Sequence, residues 1–173
     1  HPIFIRGFYK KLVRGIPQTK WTCNACNGKG CEECNFLGKR YPTSVSELIG
    51  HEILRITQGK DLKFHGSGRE DIDALMLGNG REFIIEIKEP KKRIFDLNEL
   101  RIKINEHGRG KIEVSALRFS SKDEVRKIKA MAPFRQKTYR ALVQTENEID
   151  ENKLRELELK FTNMVLNQHT PQR

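Results

Sequence analysis

All four cysteines of the chain fall within twelve residues, as Cys23-Asn24-Ala25-Cys26 and then, four residues on, Cys31-Glu32-Glu33-Cys34. No other feature restricts the fold so tightly. Each C-x-x-C pair can place two thiolates on one ion, and two pairs complete a tetrahedral site with Zn–S bonds of about 2.3 Å. Four thiolates leave no open coordination position, so the expected ion is a structural zinc. Gly28 and Gly30 permit the sharp return between the two pairs. Two disulfides would need an oxidising compartment. No secretory leader is visible, so the expected location is cytoplasmic. No run of about 18 apolar residues occurs, and a membrane span is not expected.

The charge balance suggests the partner. Lys and Arg number 33 against 23 Asp and Glu, a net +10. Such a surface suits a polyanion, most often nucleic acid. Residues 1–45 carry eight basic and two acidic residues. Within them Arg6, Lys10, Lys11, Arg14 and Lys20 interleave with Phe4, Phe8, Tyr9 and Trp21, a mixture that suits RNA backbone and stacking.

The periodicities predict an α+β domain with a mostly antiparallel sheet and packed helices, plus a small four-cysteine zinc knuckle. Ile3-Phe4-Ile5 reads as a strand and residues 15–43 as a loop. Ser44 with Glu47 forms a capping-box pattern ahead of a helix with Val45, Leu48, Ile49, Ile53 and Ile56 on one face. A strand near Leu62-Lys63-Phe64 follows. Asp96 opens a second helix that Gly108 closes. Residues 111–119 alternate as a strand, Ser121 and Glu124 cap a third helix, Lys137 to Gln144 reads as a strand, and Asp150 opens a last helix.

Between the first two helices, Ile72 to Leu77 and Phe83 to Glu89 alternate on either side of Gly78-Asn79-Gly80. Asn-Gly in that setting predicts a hairpin. Its polar face would set Asp73 opposite Glu86 and Asp71 opposite Lys88. Facing carboxylates are unfavourable without a cation nearby, so the cluster reads as a candidate site, beside the alternative of a face neutralised by Lys88 and Arg69. One chemistry is a Mg²⁺-dependent nuclease of the D…E-x-K type, with Asp73 and Glu86 holding the metal and Lys88 positioning water. Another is a reaction needing one carboxylate and no metal. A third possibility is a zinc-stapled RNA-binding module without chemistry. His65 reads as a loop residue, either in contact with a phosphate backbone or simply solvated, and His51 as a structural one on its helix.

The residues carry a resemblance that favours the second chemistry. Gly68-Arg69-Glu70-Asp71 is similar to the G-R-x-D catalytic loop of pseudouridine synthases. The stretch Lys63 to Asp73, with Met76 to Arg81 and Glu86-Ile87, resembles the archaeal and eukaryotic tRNA pseudouridine synthase family numbered ten. Pro17-Gln18-Thr19-Lys20-Trp21 and Gly38-Lys39-Arg40 with Ser44-Val45 resemble the segments flanking that family's cysteines. Lys137-Thr138-Tyr139 is similar to its K-x-Y motif, and Asn167-Gln168-His169-Thr170-Pro171 to its N-Q-x-T-P segment.

The resemblance implies an isomerase that converts uridine to pseudouridine in the TΨC arm of tRNA, at position 54 and/or 55. It places the catalytic carboxylate at Asp71. It puts Tyr139 on the target base and Arg69 beside the catalytic residue, with Lys88, Asp73 and Glu86 in support. The expected cofactor is the structural zinc on Cys23, Cys26, Cys31 and Cys34, with no organic cofactor, because isomerisation transfers no electrons and loses no group. On this comparison residues 1–43 are a basic lead-in with the knuckle, and residues 44–173 an incomplete catalytic domain. The family's N-terminal THUMP-type domain and its C-terminal end are absent, so activity is expected of the longer parent.

Overall fold

The computed structural model describes residues 1–166. The chain divides into one compact unit, His1–Arg135, and a second that begins at Gln136. The first unit is a four-stranded antiparallel sheet in the order β2-β3-β1-β4, built from β1 (Ile3–Lys11), β2 (Asp61–Gly66), β3 (Met76–Lys88) and β4 (Ile112–Ser120). Helices α1 (Val45–Thr57), α2 (Leu97–His107) and α3 (Lys122–Met131) complete it.

Local chemistry starts each helix where the sequence predicts. The Ser44 hydroxyl accepts from the Glu47 amide, Asp96 from the Asn98 and Glu99 amides, and Ser121 from the Glu124 amide. Each cap satisfies donors that have no partner inside the helix. Burial then assigns the faces. Ile3, Ile5 and Tyr9 of β1 join Phe83, Ile85 and Ile87 of β3 against Leu48, Ile49 and Ile53 of α1 and Leu100 and Ile104 of α2. On the opposite sheet face Ile84 packs with Val125 and Ile128 of α3. Among the described residues no helix is long and apolar enough to cross a membrane.

Two expectations fail. The hairpin at Asn79-Gly80 does not form, because Met76–Lys88 is one continuous strand. Its neighbours are β1 and β2, with Tyr9 opposite Arg81 but Lys11 opposite Met76. Residues 77–80 therefore stand against the single residue Lys10, as a bulge. Gly78 and Gly80 take positive φ of 61° and 79°. A Cβ on Gly80 would lie 2.7 Å from the Tyr9 carbonyl oxygen, so only glycine lets the bulge close against β1. The bulge wins because the buried face of β3 finds its partners in β1, where Ile3 and Ile5 oppose Ile87 and Ile85. A hairpin arm would leave that face unmatched.

The strand expected at Lys137 to Gln144 is also absent. Alternation shows that a segment could pair, but a strand exists only through ladder hydrogen bonds, and the described residues supply none there. The second unit does contain the last predicted helix, α4 (Glu151–Phe161), with Asp150 accepting from the Lys153 amide. The Asn167–Pro171 segment lies outside the described residues.

Candidate active site and zinc knuckle

Asp71 sits on the segment between β2 and β3, and what holds that segment is a buried polar cluster. The segment turns Glu70 inward, its side chain 5% exposed, while Arg69 and Asp71 on either side are exposed. Glu70 Oε2 accepts from the Tyr9 hydroxyl at 2.8 Å and from Arg81 Nε at 2.8 Å. Arg81 also donates to the Ser67 carbonyl at 2.8 Å. Gln18 Nε2 donates to the Tyr9 hydroxyl at 2.8 Å and to the Gly68 carbonyl at 3.0 Å. The Lys11 ammonium donates to the carbonyls of Ile16, Asp71 and Ile72 at 3.1, 2.9 and 3.1 Å. The Gly15 amide adds a bond to the Ile72 carbonyl at 3.0 Å. Residues 67–72 are thus tied down at four carbonyls and one side chain, while the Asp71 carboxylate stays exposed.

Burial and the neighbouring Glu70 charge push the Tyr9 hydroxyl far above its usual pKa, so it remains a hydrogen-bond donor. Burial lowers the Lys11 pKa, and the charges of Glu70, Asp73 and Asp71 oppose that shift.

Tyr9, Lys11, Gln18, Glu70 and Arg81 are the residues that sequence reasoning missed as a group. For Lys11 a signal was available. It continues the alternation Ile3, Ile5, Gly7, Tyr9 and so belongs on the inward face of β1, where the buried positions follow that period. Tyr9 and Lys11 are fully buried and leave the basic, aromatic run expected to meet RNA. Arg6 pairs with Glu82 and Glu124, and Lys10 with Glu113.

The remaining acids of the expected hairpin do not assemble. Glu86 lies between Phe4 of β1 and Lys63 of β2, and its carboxylate meets His65 Nε2 at 3.1 Å. His65 is therefore a buried strand residue and not a solvated loop residue. Burial holds its pKa below the usual imidazole value, with Glu86 opposing. Lys88 is opposite Asp61 at the other end of β3 and pairs with it at 2.9 Å. Asp73 stays on the segment before β3. Among the described residues, three or more potential ligands converge only at the four cysteines and at His51, Glu52 and His107. Asp73 and Glu86 are in neither group. Tyr139 falls in the second unit, on a stretch with neither helix nor strand.

The cysteine cluster forms as the spacing predicts. The four Sγ atoms lie within 4.8 Å of one another. Three pairs stand 3.7, 3.8 and 4.0 Å apart. A tetrahedron with metal–sulfur bonds of about 2.3 Å has edges of about 3.8 Å, so the donor set fits one ion of that size. The Gly30 amide points at Cys26 Sγ, and those of Cys31 and Gly38 at Cys34 Sγ, at 3.2–3.3 Å. Burial disfavours a charged Cys34, yet the Cys31 and Gly38 amides, with the Cys31 and Cys26 thiols, bring its pKa down to about 6. At Gly38, with φ of 66°, a Cβ would fall 2.4 Å from the Gly28 carbonyl oxygen. The knuckle returns to the chain through a Thr22–Lys39 bridge, beside Trp21 packed on Tyr41 with Arg40 over its ring.

Residues 4–173 match the family described as Pus10, C-terminal. Three similar proteins each carry the name tRNA pseudouridine synthase Pus10. One from Methanothermobacter marburgensis is 52% identical over 91% of this chain and 39% of its own length. One from Methanocaldococcus jannaschii is 53% identical over 100% of this chain and 37% of its own. One from Archaeoglobus fulgidus is 45% identical over 99% and 47%. The chain thus spans less than half the length of these relatives. Matched from its fourth residue onward and close to half identical to these archaeal proteins, the chain belongs to the Pus10 C-terminal family.

Proposed function

We propose that this chain carries the catalytic carboxylate of a tRNA pseudouridine synthase, with Asp71 in that role. The supporting observation is the loop itself. An exposed aspartate stands on backbone gripped from below by a buried cluster, in a chain whose relatives bear that enzyme's name.

The reaction breaks the bond between C1′ and N1 of uridine and joins C1′ to C5. C5 loses a proton and N1 gains one, so the product is an isomer and no redox cofactor takes part. An ionised Asp71 can attack the sugar or remove a proton from it, and either route uses the charged form. The target base lies stacked within a folded arm and must be flipped out at a cost of a few kcal/mol. Tyr139 would recover part of that by stacking, worth about 1–3 kcal/mol. Arg69 would pair with Asp71 or enter the vacated stack. The substrate in this reading is uridine 54 and/or 55 of the TΨC arm. Residues 1–43 form the lead-in and knuckle, and residues 44–173 the first part of the catalytic domain. Cys23, Cys26, Cys31 and Cys34 would hold a zinc that closes the knuckle and leaves the chemistry to Asp71.

The experiment is to incubate tRNA with the full-length protein and with its Asp71→Asn variant. Carbodiimide labelling and mass spectrometry then locate pseudouridine. The wild type should yield a mass-silent, carbodiimide-reactive uridine in the TΨC arm. The variant should bind tRNA and lose the activity by several powers of ten. Near-normal pseudouridine formation by Asp71→Asn refutes the assignment. Cleaved tRNA would point to a nuclease, and binding with neither product to a module without chemistry.

A further inference from the structure

Lys11 is in an unusual situation for a lysine. Its side chain has no exposed surface, and it occupies the last inward position of β1, after Ile3, Ile5, Gly7 and Tyr9. Burying an ammonium is costly unless its hydrogen bonds are made, and an apolar side chain would pack there more cheaply. Its bonds are made, and all three go to backbone. An ammonium has three N–H donors, and these meet the carbonyls of Ile16, Asp71 and Ile72 at 3.1, 2.9 and 3.1 Å. Glu70 Oε1 supplies the nearby negative charge at 4.0 Å, beyond hydrogen-bond length. That oxygen is itself buried without a hydrogen-bond partner, so the pair is not arranged for its own sake. The other Glu70 oxygen is taken up by Tyr9 and Arg81.

One of the three carbonyls belongs to Asp71 itself and another to the residue after it. Two rotatable bonds separate the Asp71 Cα from its carboxylate oxygens, so fixing this backbone fixes where the carboxylate can reach. We propose that Lys11 is a positioning residue for Asp71, its ammonium setting the backbone of residues 71–72 so that the carboxylate meets the reacting sugar. The proposal rests on the function proposed above. Lys11 has no surface with which to touch the tRNA, and it acts only through the loop. A misplacement of about 1 Å in a reacting group costs on the order of 100-fold in rate.

The test uses the full-length protein with Lys11→Met and Lys11→Arg, alongside wild type and Asp71→Asn. Thermal unfolding establishes that each variant is folded. Dissociation constants for tRNA, KM and kcat for pseudouridine formation are then compared. Lys11→Met should keep its tRNA affinity and KM within about threefold of wild type and lose about 100-fold in kcat. Lys11→Arg keeps the charge but cannot place one nitrogen against three carbonyls. It should fold, bind and lose at least about tenfold in kcat.

If Lys11→Met does not fold, Lys11→Arg decides the matter alone. A folded variant with kcat within threefold of wild type overturns the proposal. So does a loss of binding as large as the loss of kcat, and so does failure of both variants to fold, which would make Lys11 purely structural. If wild type makes pseudouridine and Asp71→Asn does not, those outcomes overturn the role of Lys11 alone. A wild type that makes none overturns the function and this role together.

Discussion

The bulge at Gly78-Asn79-Gly80 makes a prediction that a hairpin would not. In a two-residue hairpin turn centred on Asn79-Gly80, of the type that Asn-Gly favours, both residues would take positive φ. In the structure Gly78 and Gly80 do, and Asn79 does not. The two glycines also differ in surroundings. A Cβ on Gly78 meets nothing within 4 Å, whereas one on Gly80 lies 2.7 Å from the Tyr9 carbonyl oxygen and 3.0 Å from its carbon. Both Gly→Ala changes carry the left-handed penalty of about 1–2 kcal/mol. Gly80→Ala must in addition push apart two backbones, and Tyr9 is fully buried in the core and cannot give way cheaply. We expect about 1 kcal/mol for Gly78→Ala and about 3 kcal/mol for Gly80→Ala. At about 2–4 °C per kcal/mol for a chain of this size, Tm should fall by about 3 °C and about 9 °C. Arg81 follows the bulge and grips Glu70 and the Ser67 carbonyl, so Gly80→Ala should also reduce activity more than Gly78→Ala. Circular-dichroism melts of the two variants under identical conditions decide. Equal losses, or a larger loss for Gly78→Ala, would refute the reasoning.

Freshly purified, reduced protein should contain one zinc per chain. Cys26→Ser should lower that content and open residues 20–41 to protease while the sheet stays protected; metal analysis finding no zinc in the wild type, or a full equivalent in Cys26→Ser, contradicts this. Glu124 provides a pH test. Its hydrogen bond from Arg118, with further contributions from Ser120 and Arg6, brings its pKa down to about 2. A carboxylate depressed on folding contributes stability that is complete above its unfolded pKa of about 4.3 and disappears as pH falls toward 2. Denaturation midpoints should drop across that interval, and Glu124→Gln should flatten the drop. An unchanged slope in the variant would remove Glu124 from the account.

The features legible in the sequence are those whose physics is local. Ser44, Asp96, Ser121 and Asp150 each cap a helix through an amide two or three residues ahead, so the cap and its partner sit in one short window. The knuckle is equally local, with four cysteines in twelve residues and glycines at 28, 30 and 38 taking the positive φ its turns require. Asp71 stood out as a candidate because Gly68, Arg69 and Glu70 before it form a contiguous pattern. Strand pairing is not local. Alternation on both sides of Gly78-Asn79-Gly80 is equally compatible with a hairpin and with one bulged strand. The choice fell to β1, far away in sequence, whose Ile3 and Ile5 complete the buried face of β3. Glu86 and Lys88 went with that choice to His65 and Asp61. The same long-range pairing turned Lys11 from a candidate RNA contact into a buried cation under Asp71, because which carbonyls surround an inward side chain depends on where distant segments come to lie.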